Sequence, residues 1–313
     1  MNEFEQILSG LQDPKNLLSE LQEPKNYNIN EIKPNEEIGC LLPGVEEASE
    51  EWNYYEYDYG PDSITIGVPR VSHIISQCSD QRYLIDWAAK IGYNKYTFYR
   101  DKALEVGTLV HETIDRYLTY KYINKDVKNF RFDPESIDYV YRDQVCKAFN
   151  NFLNWEKALN SNGYFIEEVV GLEIPVTTPW YGGTVDAILR INGCYYIIDF
   201  KTSKRISTDY FIQTIAYMWA INNIMIRDGH YLPFIDGIGI IRVDKTKSEF
   251  EDTFLNKHIP QQAEYLVGYC KAFMSYLEAY YRNININYIS NIYKANYSHN
   301  IVFDNKNKIE EVK

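Results

Sequence analysis

Two short, mainly apolar segments, 183–191 and 194–201, flank the polar turn dipeptide Asn192-Gly193. This pattern predicts two strands joined by a two-residue turn, and Asn-Gly suits the positive φ angles of such a turn. Alternation puts Tyr196, Ile198 and Phe200 on one face of the second strand, and Tyr195, Ile197, Asp199 and Lys201 on the other. Upstream, 164–177 reads as a further strand whose pairing is limited by Pro175. The near-continuous apolar run IDGIGIIRV at 235–243 reads as a buried strand, followed by a polar stretch. Helical periodicity appears at 102–122 (Leu104, Leu109, Ile114, Leu118), 136–160, 205–226 (Ile212, Ile215, Ala216, Trp219) and 260–283. Residues 69–100 also read as helical, with Ile74, Ile75, Leu84, Ile85 and Trp87 in phase. Together these elements predict an α/β fold, with a small mixed sheet flanked by helices and a helical N-terminal wing.

Residues 1–60 have a different character. They contain an imperfect repeat, LSGLQDPKN at 8–16 and LSELQEPKN at 18–26, in which Pro14 and Pro24 oppose one continuous helix. They carry 14 acidic and 3 basic side chains, whereas the rest of the chain is nearly balanced at 30 and 29. The net charge of −12 therefore sits mainly in this segment. It reads as a flexible acidic arm; the sharper alternatives are docking of a protein partner and an acidic strip that competes with DNA for a basic groove. The boundaries are then an arm at 1–60, a domain at 61–283 and a polar tail at 284–313. Within the domain, the wing spans 69–160 and the core 164–245.

The hydrophobic fraction of 45% is sufficient for a core. No signal peptide and no apolar run of membrane-spanning length is recognisable, which predicts a cytoplasmic protein with no membrane partner. The five cysteines are scattered and form no CxxC pair, which argues against a disulfide framework or a zinc site.

The chemistry concentrates at the hairpin. An Asp and a Lys two apart, Asp199 and Lys201, end an otherwise apolar strand, and Asp186 on the neighbouring strand can bring a second carboxylate. Buried charges are costly unless they are paired or bound to metal. Two carboxylates and a lysine at a strand end suit Mg²⁺ or Mn²⁺, which take oxygen ligands. The simpler reading is a solvated Asp–Lys pair, which DFK alone would favour.

Five elements in order shift that balance. The chain reads GTLVH at 107–111, Glu173 on the first central strand, GTVD at 183–186, DFK at 199–201 and QTIAY at 213–217. In this it resembles the PD-(D/E)XK nuclease superfamily and its RecB-like branch, over about residues 69–245. PRVSHII at 69–75 and Trp87 also resemble phage, CRISPR-associated and mitochondrial-genome-maintenance exonucleases. The resemblance implies a restriction-endonuclease-like core and a Mg²⁺- or Mn²⁺-dependent deoxyribonuclease, an exonuclease acting on DNA ends or single strands. It implies metal ligation by Asp186 and Asp199, with the Phe200 carbonyl as a further ligand; His111 is an implied catalytic residue that ligates or neighbours the metal or touches the scissile phosphate, and Glu173 binds the metal, directly or through water, or pairs with a basic side chain. Lys201 is the implied catalytic lysine. Gln213 and Tyr217 are implied substrate contacts, joined by Lys204 and Arg205 at the strand-to-helix turn. The branch's iron–sulfur members place three cysteines close together near the C-terminus; this chain has no such trio, so no cluster is expected. The alternatives are a catalytically silent DNA-binding scaffold and a restriction-like endonuclease.

Other features stay undecided at this level. Tyr93, Lys95, Tyr96, Tyr99 and Arg100 mix aromatic and basic groups as single-strand binders do, but packing explains them equally well. His111 and Asp115 lie one helical turn apart. Arg242, Lys245 and Lys247 are candidates to extend a basic groove, against the plainer reading of a solvated surface.

Overall fold

The structure is a computed structural model that describes the backbone of residues 55–57, 66–226 and 229–297. The repeats at 8–26 and the end of the chain lie outside these residues, as does most of the expected arm. The described residues up to Tyr276 fall in one compact unit, and those from Leu277 in a second. Short strands β1 (Tyr55–Tyr57) and β2 (Ile66–Val68) pair antiparallel, so the fold reaches back into the stretch assigned to the arm.

The helical wing follows as α1 (Val71–Cys78), α2 (Arg82–Ile91) and α3 (Tyr93–Leu118). The break between α2 and α3 falls at Gly92, whose φ of 86° is readily available only to glycine. After a wide turn at Thr119–Ile123 comes α4 (Tyr139–Ser161). Its N-terminus is capped by Asp138, which accepts from the Val140 amide at 2.9 Å.

Strands β3 (Ile166–Thr177), β4 (Gly182–Ile191), β5 (Cys194–Lys201), β6 (Gly237–Val243) and β7 (Phe250–Asn256) form a five-stranded sheet in sequence order. All neighbours are antiparallel except β5 and β6, which are parallel and joined through α5 (Thr208–Ala220). The turn between β4 and β5 has positive φ at both Asn192 (46°) and Gly193 (79°), as the dipeptide required. Pro175 is tolerated because β3 is an edge strand.

The alternation read from β5 decides the two layers. Ile198 and Phe200, with Ala187, Leu189 and Ile241, pack against Phe149, Phe152 and Trp155 of α4 and Val110 and Ile114 of α3. Fully burying one such large side chain contributes about 1.5–3 kcal/mol. The other face, with Ile197 and Asp199, lies on the side of α5, whose Ile212, Ile215, Ala216 and Trp219 are buried.

Three elements differ from the sequence reading. Residues 69–100 form separate short helices and the start of α3. Strand β7 lies in the stretch read as polar; it is an edge strand, and Glu251 and Asp252 on its exposed half hid the alternation. The last helix, α6, runs Pro260–Tyr297 and so takes in residues assigned to a tail. Among the described residues, no helix is long and apolar enough to cross a membrane.

Candidate metal centre

The β4–β5 ladder ends at the pair Ala187–Ile198. Beyond it the backbone amide of Phe200 has no carbonyl partner on β4, and the carboxylate of Asp186 takes that place, accepting at 2.7 Å. Asp186 is thus fixed by the strand it faces. The Phe200 carbonyl is held from another side: His111 Nε2, on α3, lies 2.9 Å from it. A carbonyl only accepts, so Nε2 carries the hydrogen of this bond. In the neutral ring, Nδ1 then keeps its lone pair. It lies 3.6 Å from Asp186 Oδ2, beyond hydrogen-bond length.

Glu173 of β3 completes the group. Ligand atoms of His111, Glu173 and Asp186 all lie within 4.8 Å of one another. Glu173 has φ of 47°, a left-handed conformation inside a strand that a glutamate adopts only at a cost. Strain of this kind, about 1–3 kcal/mol, gathers at functional sites.

Asp199 and Lys201 form the second half of the site. Lys201 Nζ donates to Asp199 Oδ1 at 2.8 Å. Asp199 is only 4% exposed, and its Oδ2 is buried without a hydrogen-bond partner. Burial raises its carboxyl to about 6, with the Lys201 charge opposing that rise and Asp186 adding to it. For Lys201, burial works against the charge, but Asp199 and Asp186 more than offset it, and its pKa is raised. At neutral pH the two are therefore an ion pair.

Crowded negative charge marks the first half of the site as well. Partial burial raises Glu173, and the neighbouring Asp186 charge adds to it. One turn after His111, Asp115 is raised to about 7, chiefly by burial and then by Glu173. Its Oδ1 is buried without a partner. Carboxylates that lift one another's pKa in this way are stabilised when a cation arrives.

The two outer motifs meet the centre through packing. Gln213 donates to the Tyr217 hydroxyl at 3.2 Å, one turn along α5. A Cβ built on Gly183 would fall 2.4 Å from the Tyr217 ring, so the glycine of GTVD is required by the tyrosine of QTIAY. Gly107 of GTLVH meets nothing nearer than Thr202 Oγ1 at 3.8 Å, an ordinary contact.

His111, Glu173 and Asp186 come together as potential ligands. Asp199, expected beside Asp186 as a ligand, lies outside this group and holds Lys201. The Phe200 carbonyl, expected as a ligand, orients His111. Lys204 and Arg205 are exposed at the turn before α5, and Tyr217 is buried. Arg242 is not part of a groove: it is buried and paired with Asp244 and Glu251, each at 3.0 Å. Asp115 and Tyr210 belong to the site's surroundings but were not assigned from sequence. Their helical phase, four after His111 and three before Gln213, was the available signal.

No protein-family model matches this chain, and no curated protein matches it. Among solved structures, one titled "Crystal structure of SSO0001" is similar at 15% identity, covering 59% of this chain and 86% of that one with a TM-score of 0.22.

Proposed function

We propose that the chain is a Mg²⁺- or Mn²⁺-dependent deoxyribonuclease of the PD-(D/E)XK type, an exonuclease acting on DNA ends or single strands. The observation that carries this reading is the convergence of His111, Glu173 and Asp186 at the strand end where Asp199 and Lys201 pair. The donor set of two carboxylates and one imidazole nitrogen fits Mn²⁺ or Mg²⁺, and the partnerless Asp199 Oδ2 adds an oxygen nearby. A divalent cation held there supplies Lewis acidity to a phosphodiester and lowers the pKa of water.

The remaining work falls to the chain's own groups. The backbone of Phe200 binds the two halves together, its N–H on Asp186 and its carbonyl on His111. Lys201 has three N–H donors, of which Asp199 takes one. The others are free to orient a water or neutralise a phosphoryl oxygen. Asp199 keeps the ammonium at the strand end and charged. Gln213 is half-buried and can reach substrate, whereas the buried Tyr217 supports the Gly183 backbone. Lys204 and Arg205, exposed at the adjoining turn, suit phosphate contacts. The nearly neutral body of the chain is compatible with a locally basic path for DNA.

The test is cleavage of end-labelled linear DNA and closed circular DNA, single- and double-stranded, with Mg²⁺, Mn²⁺ or EDTA. Release of short products from linear DNA alone, abolished by EDTA, is expected. Absence of cleavage with either metal would overturn the reading.

A further inference from the structure

Lys201 is held by a second group that the motifs do not contain. Its Nζ lies 4.8 Å from the centroid of the Tyr210 ring. Tyr210 is in the first turn of α5, behind the Ser207 cap, and Gln213 and Tyr217 follow three and seven residues later. That spacing puts Tyr210 and Tyr217 on one stripe of the helix. One ring fills the space over Gly183, at the start of β4; the other meets the ammonium at the end of β5. A single helix thereby sets the ends of both strands that carry the carboxylates.

We propose that Tyr210 is a positioning residue for Lys201, acting through the face of its ring rather than through its hydroxyl. The four-carbon stem of Lys201 is flexible, and a single hydrogen bond to Asp199 leaves the ammonium free to pivot. The neighbouring Asp186 charge also raises the Lys201 pKa, so the ammonium feels a second carboxylate besides its partner Asp199. An aromatic face attracts a cation without accepting a proton from it, and it does so more strongly where water is excluded. Only 19% of the Lys201 side chain is exposed, so the ring acts in such surroundings. Tyr210 therefore holds the ammonium on Asp199 and away from Asp186, leaving Asp186 to the ligand group.

This inference rests on the proposed function for its kinetic consequence but not for its geometry, and the experiment separates the two. Tyr210→Phe keeps the ring face, and Tyr210→Met keeps an apolar side chain of comparable length without it. The first readout is labelling of Lys201 by an amine-reactive ester, followed by mass spectrometry on metal-free protein. Met is expected to raise Lys201 labelling several-fold, and Phe to leave it within about twofold of wild type. The second readout is cleavage kinetics. Met is expected to lower kcat about 30-fold with little change in KM, the equivalent of a desolvated cation–π contact, and Phe to preserve both. A thermal midpoint within a few degrees of wild type confirms that each variant is folded. Unchanged labelling in the Met variant, or a Phe variant as impaired as Met, would overturn the proposal. Wild-type protein that cleaves nothing would overturn the nuclease reading, while the labelling comparison would still decide the role of Tyr210.

Discussion

Gly183→Ala tests how the site is built. The added Cβ would lie 2.4 Å from both Cε1 and the hydroxyl oxygen of Tyr217, where ordinary contact begins near 3.4 Å. The ring or the β4 backbone must therefore move by about 1 Å, as the van der Waals limit requires. Neither moves easily. Tyr217 is 4% exposed and lies between buried Ala216 and Met218 on α5. Gly183 is the second residue of the strand that carries Asp186 three residues later. Overpacking of this kind costs about 1–3 kcal/mol, and the rigid ring puts this site at the upper end. A domain of this size loses about 2–4 °C of Tm per kcal/mol, so a fall of about 5–10 °C is expected. Tyr217→Leu destabilises by itself, through a cavity. Because Leu vacates the space the new methyl needs, the double variant should be more stable than the sum of the single changes predicts, by at least about 1 kcal/mol. Urea unfolding of the four proteins, followed by circular dichroism, gives this coupling directly. A neutral Gly183→Ala change, or strictly additive effects, would refute the contact between the two motifs.

Two further predictions concern charge. Lys201→Ala leaves both oxygens of a buried Asp199 carboxylate unpartnered, so at pH 8 it should cost about 3–5 kcal/mol. The penalty should shrink by pH 5, where Asp199, already raised to about 6 beside its lysine, takes up a proton; equal penalties in urea unfolding at the two pH values would contradict this. Asp115, raised to about 7, binds its proton more tightly folded than unfolded, so metal-free protein should lose stability as pH rises from about 4 to 7. After allowance for partial solvent screening the loss is on the order of 1–2 kcal/mol. Asp115→Asn should flatten that slope, and an unchanged slope in EDTA-containing buffer would remove Asp115 as its source.

The legible parts of the sequence were those where one local rule dominates. The Asn192-Gly193 turn between two short apolar segments gave the hairpin and the faces of Asp199 and Phe200, because side-chain alternation on a strand and positive φ leave few options. The long apolar run of β6 and the phase of α5 were legible for the same reason. Strand β7 was hidden because an edge strand needs apolar residues on one side only. Residues 69–100 appeared as one helical stretch because periodicity does not register a break at Gly92. The composition of the site was partly legible: the sequence brought Asp186, Asp199, Lys201 and His111 to one place. It did not show that Asp199 meets Lys201 through one oxygen and keeps the other buried and unpaired, because that depends on side-chain packing at the strand end. Nor did it assign Tyr210, whose role depends on where a flexible lysine side chain comes to rest.

The central claim is that His111, Glu173 and Asp186 hold a divalent cation beside the Asp199–Lys201 pair. Calorimetric titration of the metal-free full-length chain with Mn²⁺ tests it most directly, alongside Asp186→Asn and His111→Ala. Saturable binding by the wild-type chain is expected, abolished by Asp186→Asn and weakened at least about tenfold by His111→Ala, as loss of a ligand requires. Saturable binding of equal affinity in all three proteins would contradict the claim, as would the absence of saturable binding in the wild type.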